Sequence, residues 1–432
     1  MKKVLIITYY WPPSGGSGVQ RWLKCVRYLR EFGWEPVVYT ALDSEYPVID
    51  ESLAKEIPEG VEVIRRPIWE PYKLYKRFTG QKKDKRVVSG FLNDKKPSLT
   101  KRLSMWIRGN VFIPDARKFW IKPSIKFLKT YLQENPVDMI VSTGPPHSMH
   151  LIALGVQKKL NIPWVADFRD PWTNIDFYKE LKLSAWADRK HHRLEKAVVI
   201  KADGVVVIGH TMKEEFEEIV NRKIDIIHNG YDEADMKPQT AEDRDKQFSI
   251  MHIGLLNQHR NHEAFWQALS ELKAEVEGFE ADLSVKLVGK ADVTAMDSID
   301  RNGMKANVEL VDYLPHSEAI VQQGRAQVLL LSINNTPNAK GVITGKIFEY
   351  LASGRPILCI GPENGDAARI VSEANAGLTA GFEDKVKIKA HVLDFYKQYK
   401  AGSLETESKG VESFSRKALT GKFADLFEAI IQ

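Results

Sequence analysis

Short runs of apolar residues recur along the chain, separated by segments in which apolar residues follow the spacing of a helix. In the first half, seven runs have the length and composition of buried strands, at residues 4–10, 36–40, 61–65, 139–143, 163–168, 204–208 and 224–228. Residues 19–32 carry apolar positions at helical spacing, and Gly33 ends that pattern. Strands and helices in this repeated order predict a parallel sheet with helices on both faces.

The same alternation restarts after a polar, acidic stretch at residues 232–246 that contains Pro238. Strands are predicted at 248–253, 285–288, 308–311, 328–332 and 356–360, and helices begin near residues 263, 317, 346 and 366. The predicted fold class is α/β, with two Rossmann-like doubly wound domains facing a cleft at the carboxyl ends of both sheets. We place these domains at 1–235 and 236–410, followed by a helix at 411–432 whose apolar stripe requires a partner surface.

The composition narrows the class of protein. Of the 432 residues, 43% are hydrophobic and 28% charged, which excludes collagen-like, disulfide-scaffold and wholly disordered chains. Cys25 and Cys359 lie far apart with no metal-ligand spacing, so both are interpreted as buried thiols in a reducing compartment. The apolar start lacks a small-residue cleavage site, and no apolar run approaches the ~18 residues of a membrane span. We therefore expect a cytoplasmic protein, at most peripheral on the inner face of the cell membrane.

One interval, residues 73–108, differs in charge from the rest of the chain. It carries twelve Lys/Arg against Asp84 and Asp94, whereas the net charge of the whole chain, +5, is too small to indicate nucleic-acid binding. Aromatic and aliphatic residues alternate with these basic residues. Two interpretations of this basic insertion, at about 70–120, stay open: a solvated segment, or a segment that binds an anionic membrane surface.

A glycine-rich turn follows the first predicted strand. Gly15, Gly16 and Gly18 allow a ligand to approach the backbone closely, and the next helix directs its free N–H groups to the same place. The turn therefore predicts an anion site, although the spacing is not the dinucleotide fingerprint. A purely structural glycine loop is the alternative.

A second motif opens a helix in the C-terminal half. Thr344, Gly345 and Lys346 stand at the predicted helix start, and Glu349 follows three residues later on the same face. A lysine at a helix N-terminus binds phosphate, and a carboxylate one turn on can accept hydrogen bonds from two ribose hydroxyls. The alternative is an exposed Lys346–Glu349 pair on the helix surface.

Four separated motifs resemble the retaining nucleotide-sugar glycosyltransferases of family 4 (group 1), which have the two-domain GT-B fold. The sequences are YYWPPSGGSGVQR in the first turn, IIHNGYD at residues 226–232, HIGLLNQHRNHEAFWQAL from residue 252, and GKIFEYLASGRPIL from residue 345. Together they span essentially the whole chain. The resemblance implies an acceptor-side N-terminal domain, a nucleotide-sugar-binding C-terminal domain, and a last helix that returns to the N-terminal domain.

The resemblance also assigns residues. It implies that Gly15 and Gly16 line the diphosphate and acceptor side, and that the donor-helix glutamate of the family falls on Glu349. The second position of the family's basic pair falls on Arg260, while Leu255 occupies the first. A further glutamate that contacts the transferred sugar is usual in the family, and this chain has Gly341 there. Those contacts must then come from Thr344, Lys346 or backbone amides.

Two further segments, at residues 142–150 and 164–172, each follow a strand of the first domain. His147, Asp167, Arg169 and Asp170 are therefore expected to cluster on the acceptor side. The family commonly has a histidine where Arg169 falls, and an arginine stays protonated and cannot act as a base. An Asp–Arg pair that serves only as scaffolding is the alternative for this cluster.

These observations predict a retaining, metal-independent glycosyltransferase of the hexosyltransferase type, acting in cell-surface polysaccharide synthesis. Arg260 and Lys346 would stabilise the leaving diphosphate, and Asp170 would orient the acceptor or stabilise charge on the sugar. We expect no cofactor other than the nucleotide-sugar co-substrate, which is expected to be a UDP-sugar. The expected acceptor is a glycan or a lipid-linked molecule, and no nucleic-acid partner is expected. Two alternatives stay open: a catalytically silent nucleotide-binding scaffold and a GT-B nucleotide-sugar epimerase.

Overall fold

A computed structural model describes residues 1–42, 44–70, 99–236 and 240–432. The chain divides into two compact units, Met1–Asn229 with Arg416–Gln432, and Gly230–Ser415. These bounds differ by a few residues from the domain limits 235/236 and 410/411 drawn from the sequence. Residues 71–98, which hold most of the basic interval 73–108, lie outside the described residues, as does Pro238 of the junction.

The described part of the first unit contains a seven-stranded parallel sheet in the order β3-β2-β1-β4-β5-β6-β7. The strands are β1 Lys2–Ile7, β2 Trp34–Leu42, β3 Glu62–Pro67, β4 Met139–Gly144, β5 Trp164–Phe168, β6 Gly204–Val207 and β7 Asp225–Ile226. The helices of this unit are Ser17–Leu29, Leu99–Asn110, Lys118–Glu134, Ser148–Leu160, Ala185–Lys201, His210–Ile219 and Arg416–Ile431. Buried apolar clusters cover both faces of the sheet, which is why its central strands are apolar throughout.

The second unit contains a six-stranded parallel sheet in the order β10-β9-β8-β11-β12-β13, counted over its described residues. Its strands are β8 Phe248–Ile253, β9 Leu283–Val288, β10 Val308–Val311, β11 Val328–Ser332, β12 Ile357–Ile360 and β13 Gly377–Ala380. Its helices are Glu263–Glu275, Phe279–Asp282, Val293–Arg301, His316–Arg325, Lys346–Ala352, Asp366–Glu373 and Lys385–Lys400. Apolar clusters again cover both faces, so each unit is doubly wound, as the sequence predicted.

The last helix, Arg416–Ile431, packs in the first unit against the helix Ser17–Leu29. Trp22 and Phe423 have ring centroids 4.9 Å apart, and Trp34 and Phe427 are 5.2 Å apart. The partner surface required by its apolar stripe is therefore provided by the first unit, which confirms the expected return of this helix.

The strand order reverses once in each sheet, between β1 and β4 in the first and between β8 and β11 in the second. At such a point the connections leave in opposite directions, so a crevice opens at the carboxyl ends of the two strands and commonly holds a ligand. The described residues include no helix that is long and apolar enough to cross a membrane.

Candidate functional site

The Lys346 ammonium group lies close to the backbone of the turn after β8, at the reversal point of the second sheet. Gly254 has a φ of 113°, a conformation that favours glycine, and its amide donates to the Val288 carbonyl at 2.7 Å. A Cβ at this position would lie 2.5 Å from Lys346 Nζ. The backbone conformation therefore favours glycine here, and a side chain at this position would displace the Lys346 ammonium group.

Arg260 adds a second cation to the same turn. Its Nε donates to Asn334 Oδ1 at 2.6 Å, in the segment after β11, and its guanidinium also donates to the Leu255 carbonyl at 3.2 Å. Lys346 Nζ lies beside Gly254, and the Arg260 guanidinium binds the carbonyl of the next residue, Leu255. The two cations therefore meet the same turn at consecutive residues. The side chain of Leu255 itself is exposed.

Arg260 and Lys346 have no counter-ion in the part of the chain that the structure describes. Among the described residues, no carboxylate lies within ion-pair distance of Arg260 or Lys346. Burial, and then the nearby Arg260, lower the pKa of Lys346 to about 8, although Glu349 opposes the shift. Burial also lowers the pKa of Arg260. Adjacent cations in a poorly solvated place are unfavourable alone and become favourable when an anion binds them, so this turn is a candidate anion site.

Glu349 lies nearly one helical turn after Lys346 and is held by a different set of groups. Its Oε2 accepts a hydrogen bond from Gln323 Nε2 at 3.0 Å, and its Oε1 is 4.0 Å from His316 Nε2. His316 Nε2 is in turn 3.8 Å from Asp235 Oδ2. Glu349 and Lys346 form no ion pair, so the alternative of an exposed pair on the helix surface is wrong. The carboxylate is oriented and partly exposed, which leaves it able to accept from a ligand.

The loop before this helix offers polar groups and little bulk. The Thr344 hydroxyl is buried and has no hydrogen-bond partner within the described ranges. Gly345 is exposed, with open space where a side chain would stand. Gly341 ends the short 3-10 turn Ala339–Gly341, so no side chain projects from the position where the family usually has a glutamate. An unpartnered buried hydroxyl is costly, and a bound ligand would relieve that cost.

In the first unit, the two candidate glycines differ in their surroundings. The Gly15 amide donates to the Val48 carbonyl at 2.9 Å, and a Cβ there would lie 3.0 Å from Val48 Cγ1. Gly16 has a φ of 85° and open space around it, and it precedes the helix Ser17–Leu29, which has no side-chain cap. Gly15 thus serves close packing, whereas Gly16 leaves the start of the helix accessible.

Arg169 joins the loops that follow three strands of the first sheet. Its guanidinium donates to the Gly18 carbonyl at 2.7 Å, after β1, and to the Pro145 carbonyl at 2.5 Å, after β4. Arg169 itself follows β5, and its amide donates to the Gly144 carbonyl at 2.9 Å. Because β1 and β4 flank the reversal point, the buried Arg169 side chain braces the crevice edge of this sheet.

The position of Asp167 contradicts an acceptor contact. Its side chain is 0% exposed and accepts hydrogen bonds from Arg21, from Trp22 Nε1 at 2.8 Å and from Thr143 Oγ1 at 2.8 Å. The Arg21 guanidinium is buried with it, at 2.8 Å, and also donates to the carbonyls of residues 227 and 228. The alternative of an Asp–Arg scaffold is correct in kind, but the arginine is Arg21 and not Arg169.

His147 also differs from its expected position. It is buried and stacked on Trp172 with ring centroids 4.6 Å apart, and burial holds its pKa well below the usual value. A neutral, stacked histidine of this kind is a core residue, so we do not keep it as an acceptor contact.

Asp170 is the exposed member of the four acceptor-side candidates. It forms no ion pair with Arg169, whose guanidinium is occupied by backbone carbonyls. Desolvation by the surrounding protein, opposed by Arg169, raises the pKa of Asp170 to about 6, although part of the side chain meets solvent. The alternative in which Asp170 pairs internally with Arg169 is therefore wrong.

The described residues contain no group of three or more His, Cys, Asp or Glu side chains placed to hold a metal ion. Three residues of these sites were not found from the sequence: Arg21, Gln323 and Asn334. Gln323 precedes Glu349 by 26 residues and Asn334 follows Arg260 by 74, so no local spacing signals either contact.

Comparison with known proteins agrees with this architecture. Residues 15–230, half of the chain, match the glycosyl transferase 4-like domain. The chain therefore belongs to the glycosyl transferase 4-like family, and its two Rossmann-like units are those of a GT-B glycosyltransferase. No curated protein sequence matches it.

Solved structures resemble the chain over its whole length at low sequence identity. Sucrose-phosphate synthase from Thermosynechococcus elongatus has a TM-score of 0.63 at 14% identity, with 100% of this chain and 99% of that chain covered. A glycosyltransferase from Rickettsia africae ESF-5 has a TM-score of 0.64 at 14% identity, with the same coverage. HepE from Anabaena, solved in complex with UDP-glucose, has a TM-score of 0.53 at 13% identity and covers 100% and 98%. At these identities the likeness concerns the fold.

Proposed function

We propose that the protein is a retaining glycosyltransferase whose donor is a UDP-sugar bound by the second unit. Arg260 and Lys346 would hold the diphosphate, and Glu349 would accept hydrogen bonds from the ribose hydroxyls. The observation that carries this proposal is the pair of neighbouring cations without a counter-ion at the reversal point of the sheet. A diphosphate supplies the missing charge in a single ligand.

The proposed mechanism uses these cations for charge stabilisation. When the bond between the anomeric carbon and the diphosphate breaks, negative charge grows on the leaving phosphate, next to Arg260 and Lys346. Interactions that strengthen as this charge develops accelerate the reaction more than they tighten donor binding. By resemblance to the family, the acceptor attacks from the same face and passes its proton to the leaving β-phosphate, so no general base is required. Two fixed cations would also do the work of a divalent metal, so we propose metal independence.

UDP is proposed as the nucleotide because of the family resemblance and because HepE, which shares the fold, was solved with UDP-glucose. The donor sugar has a different environment from that usual in the family, since Gly341 provides no carboxylate. We assign its contacts to the Thr344 hydroxyl, which is buried without a partner, and to the backbone at Gly345.

The acceptor is proposed to be a glycan or a lipid-linked glycan in cell-surface polysaccharide synthesis. Asp170 supports an acceptor role because it is exposed beside the Arg169 brace and has no ion-pair partner among the described residues. Ionised, it could orient an acceptor hydroxyl or stabilise positive charge on the sugar ring.

The donor proposal is tested by thermal unfolding with a panel of UDP-, GDP- and ADP-sugars. A ligand at 100 times its dissociation constant stabilises the folded state by about 2.7 kcal/mol, which raises the melting temperature measurably. We expect the UDP-sugars to act and the Arg260→Ala, Lys346→Ala double variant to show no shift. Lys305→Ala is the matched control, because Lys305 is an exposed cation of the same unit that faces Asp300 at 3.7 Å. An equal shift in the double variant would move the donor site elsewhere.

The same protein preparation, incubated with the UDP-sugar that binds, distinguishes a transferase from a silent scaffold and from an epimerase. Slow UDP release from the active UDP-sugar without acceptor, accelerated by a glycan acceptor, is expected of a transferase. Binding without any release would instead indicate a silent scaffold, and an epimerised nucleotide sugar formed without acceptor would indicate an epimerase.

A further inference from the structure

Large aromatic side chains are exposed together on the first unit. Trp69 is 52% exposed and packs edge-to-face on Phe119, which is 43% exposed, with ring centroids 4.8 Å apart. Phe112 lies 6.1 Å from Phe119 in a second edge-to-face contact. Isolated exposed aromatics are ordinary, but rings that cluster while exposed indicate an interaction surface.

The exposed face continues along the helix Leu99–Asn110. Leu103 is 58% exposed and Trp106 46%, and three residues apart on a helix they share one face. The end of this helix is fixed, because Asn110 donates to the Lys182 carbonyl at 3.3 Å and accepts from the Ser184 amide at 2.7 Å. These bonds fix the end of the helix that carries the exposed Leu103 and Trp106.

Trp186, which is 58% exposed, lies in the same region through its neighbour Lys190, because burial and then the nearby Lys190 lower the pKa of Lys118. Lys190 Nζ lies 4.7 Å from the Trp186 ring, and Lys118 Nζ lies 5.2 Å from the Phe119 ring. Cations stacked on exposed rings present charge and apolar area on one surface.

One segment of this region is strongly basic. Residues 99–129 contain eight Lys/Arg and a single acidic residue, Asp115. The Asp115 carboxylate accepts from the Ser148 amide and hydroxyl, both at 2.8 Å, and from the Arg117 amide at 2.8 Å, and with its charge counted this segment carries 8 − 1 = +7. A partner for this surface must therefore combine negative charge with an apolar layer.

We propose that this aromatic-basic surface, formed by Trp69, Trp106, Lys118, Phe119, Trp186 and Lys190, docks on the interface of an anionic lipid bilayer. Tryptophan and phenylalanine rings enter the boundary between headgroups and acyl chains, where their apolar area leaves water. Lysines beside them pair with anionic headgroups. The proposal is independent of the donor nucleotide. It extends the membrane interpretation of residues 73–108 to a surface of described residues, of which Trp106 lies inside that interval and the other five lie outside it.

Flotation of the full-length protein with vesicles tests the proposal. We expect binding to phosphatidylglycerol-containing vesicles, little binding to pure phosphatidylcholine, and release at high salt. Lys118→Gln with Lys190→Gln should lower the partition coefficient about fivefold for each lysine. Trp106→Ser with Trp186→Ser should lower it by about tenfold or more and leave the salt dependence of the residual binding in place.

Matched variants in the second unit serve as controls. Lys305→Gln with Lys409→Gln removes the same charge, and Val293→Ser with Val386→Ser removes exposed apolar side chains. Both controls should bind like the parent. Equal loss in the controls, or unchanged binding in the surface variants, would overturn the proposal. A concentration-dependent dimer in light scattering that the Trp variants abolish, with no vesicle binding by the parent, would identify the surface as a contact between two copies instead.

Discussion

The pH dependence of nucleotide binding should report the charge of Lys346. The perturbation is Lys346→Arg, which keeps a cation at the start of the helix but removes its titration, since an arginine stays protonated at any pH of interest. In the parent protein, burial and Arg260 lower the pKa of this ammonium group to about 8. Its charge is therefore lost within an accessible range of pH.

The magnitude follows from that pKa. A lysine with a pKa of about 8 is roughly nine-tenths charged at pH 7 and roughly one-tenth charged at pH 9. A charge-assisted hydrogen bond to phosphate contributes about 1.5 to 3 kcal/mol, so the neutral form binds a diphosphate at least about tenfold more weakly. Lys346 loses its positive charge as the pH rises through its pKa, so the affinity for UDP falls as the pH rises through about 8. Between pH 7 and 9 the dissociation constant for UDP should rise about six- to ninefold.

Isothermal titration of UDP into both proteins at pH 7, 8 and 9 measures this effect. Titration of the nucleotide itself is common to both, so the ratio of the parent's dissociation constant to the variant's isolates Lys346. We expect this ratio to rise about six- to ninefold between pH 7 and 9. Where the bulk of arginine beside Gly254 prevents binding, Lys346→Met provides the second reference without a titrating group. A ratio independent of pH would refute the assignment of Lys346 to the diphosphate.

Three other variants separate binding, transfer and stability. Glu349→Gln should keep the fold and lose about 1.5 to 3 kcal/mol of nucleotide affinity, measured by the same titration, and unchanged affinity would remove the ribose contact. Asp170→Asn should leave the melting temperature and UDP affinity intact and lower transfer about a hundredfold, while parent activity falls below about pH 6 as this carboxylate is protonated. A destabilised variant with normal activity per folded molecule would exclude Asp170. Asp167→Asn leaves Arg21 buried without its counter-ion and should cost about 3 to 5 kcal/mol in urea unfolding, so an unchanged midpoint would contradict a structural role.

Most of the fold could be predicted because buried parallel strands produce apolar runs that are visible in one sequence. The runs at 248–253, 308–311 and 328–332 coincide with β8, β10 and β11. The strand β13 was missed because Gly377–Ala380 is four residues long, contains glycine and threonine, and lies partly exposed at the sheet edge. Tertiary pairing with β12, not local pattern, makes it a strand.

The helix predicted at residues 19–32 shows that a local sequence pattern does not predict the exact ends of a helix or a change of helix type. It begins earlier, at Ser17, and its α-helical part ends at Leu29, after which Arg30–Phe32 form a 3-10 turn. Gly33, with a φ of 82°, ends the helical segment, as the sequence indicated. The stop was visible because a left-handed residue favours glycine, whereas the change of helix type has no sequence signal.

The relative placement of the candidate residues was easier to predict in the second unit than in the first, for a physical reason. Lys346 and Glu349 are neighbours on one helix, so spacing alone brings them to one face. The acceptor-side residues are adjacent in sequence on a loop, where neighbours can point in opposite directions. Asp167 therefore enters the core and Asp170 faces solvent, and no periodicity distinguishes them.

A crystal structure of the protein with UDP would test the donor site most directly. The expected result places the β-phosphate within hydrogen-bond distance of the Arg260 guanidinium and Lys346 Nζ, over the turn that contains Gly254, with the ribose hydroxyls on the Glu349 carboxylate. UDP bound with its phosphates away from both cations, or with Glu349 facing no ribose oxygen, would contradict the proposed function.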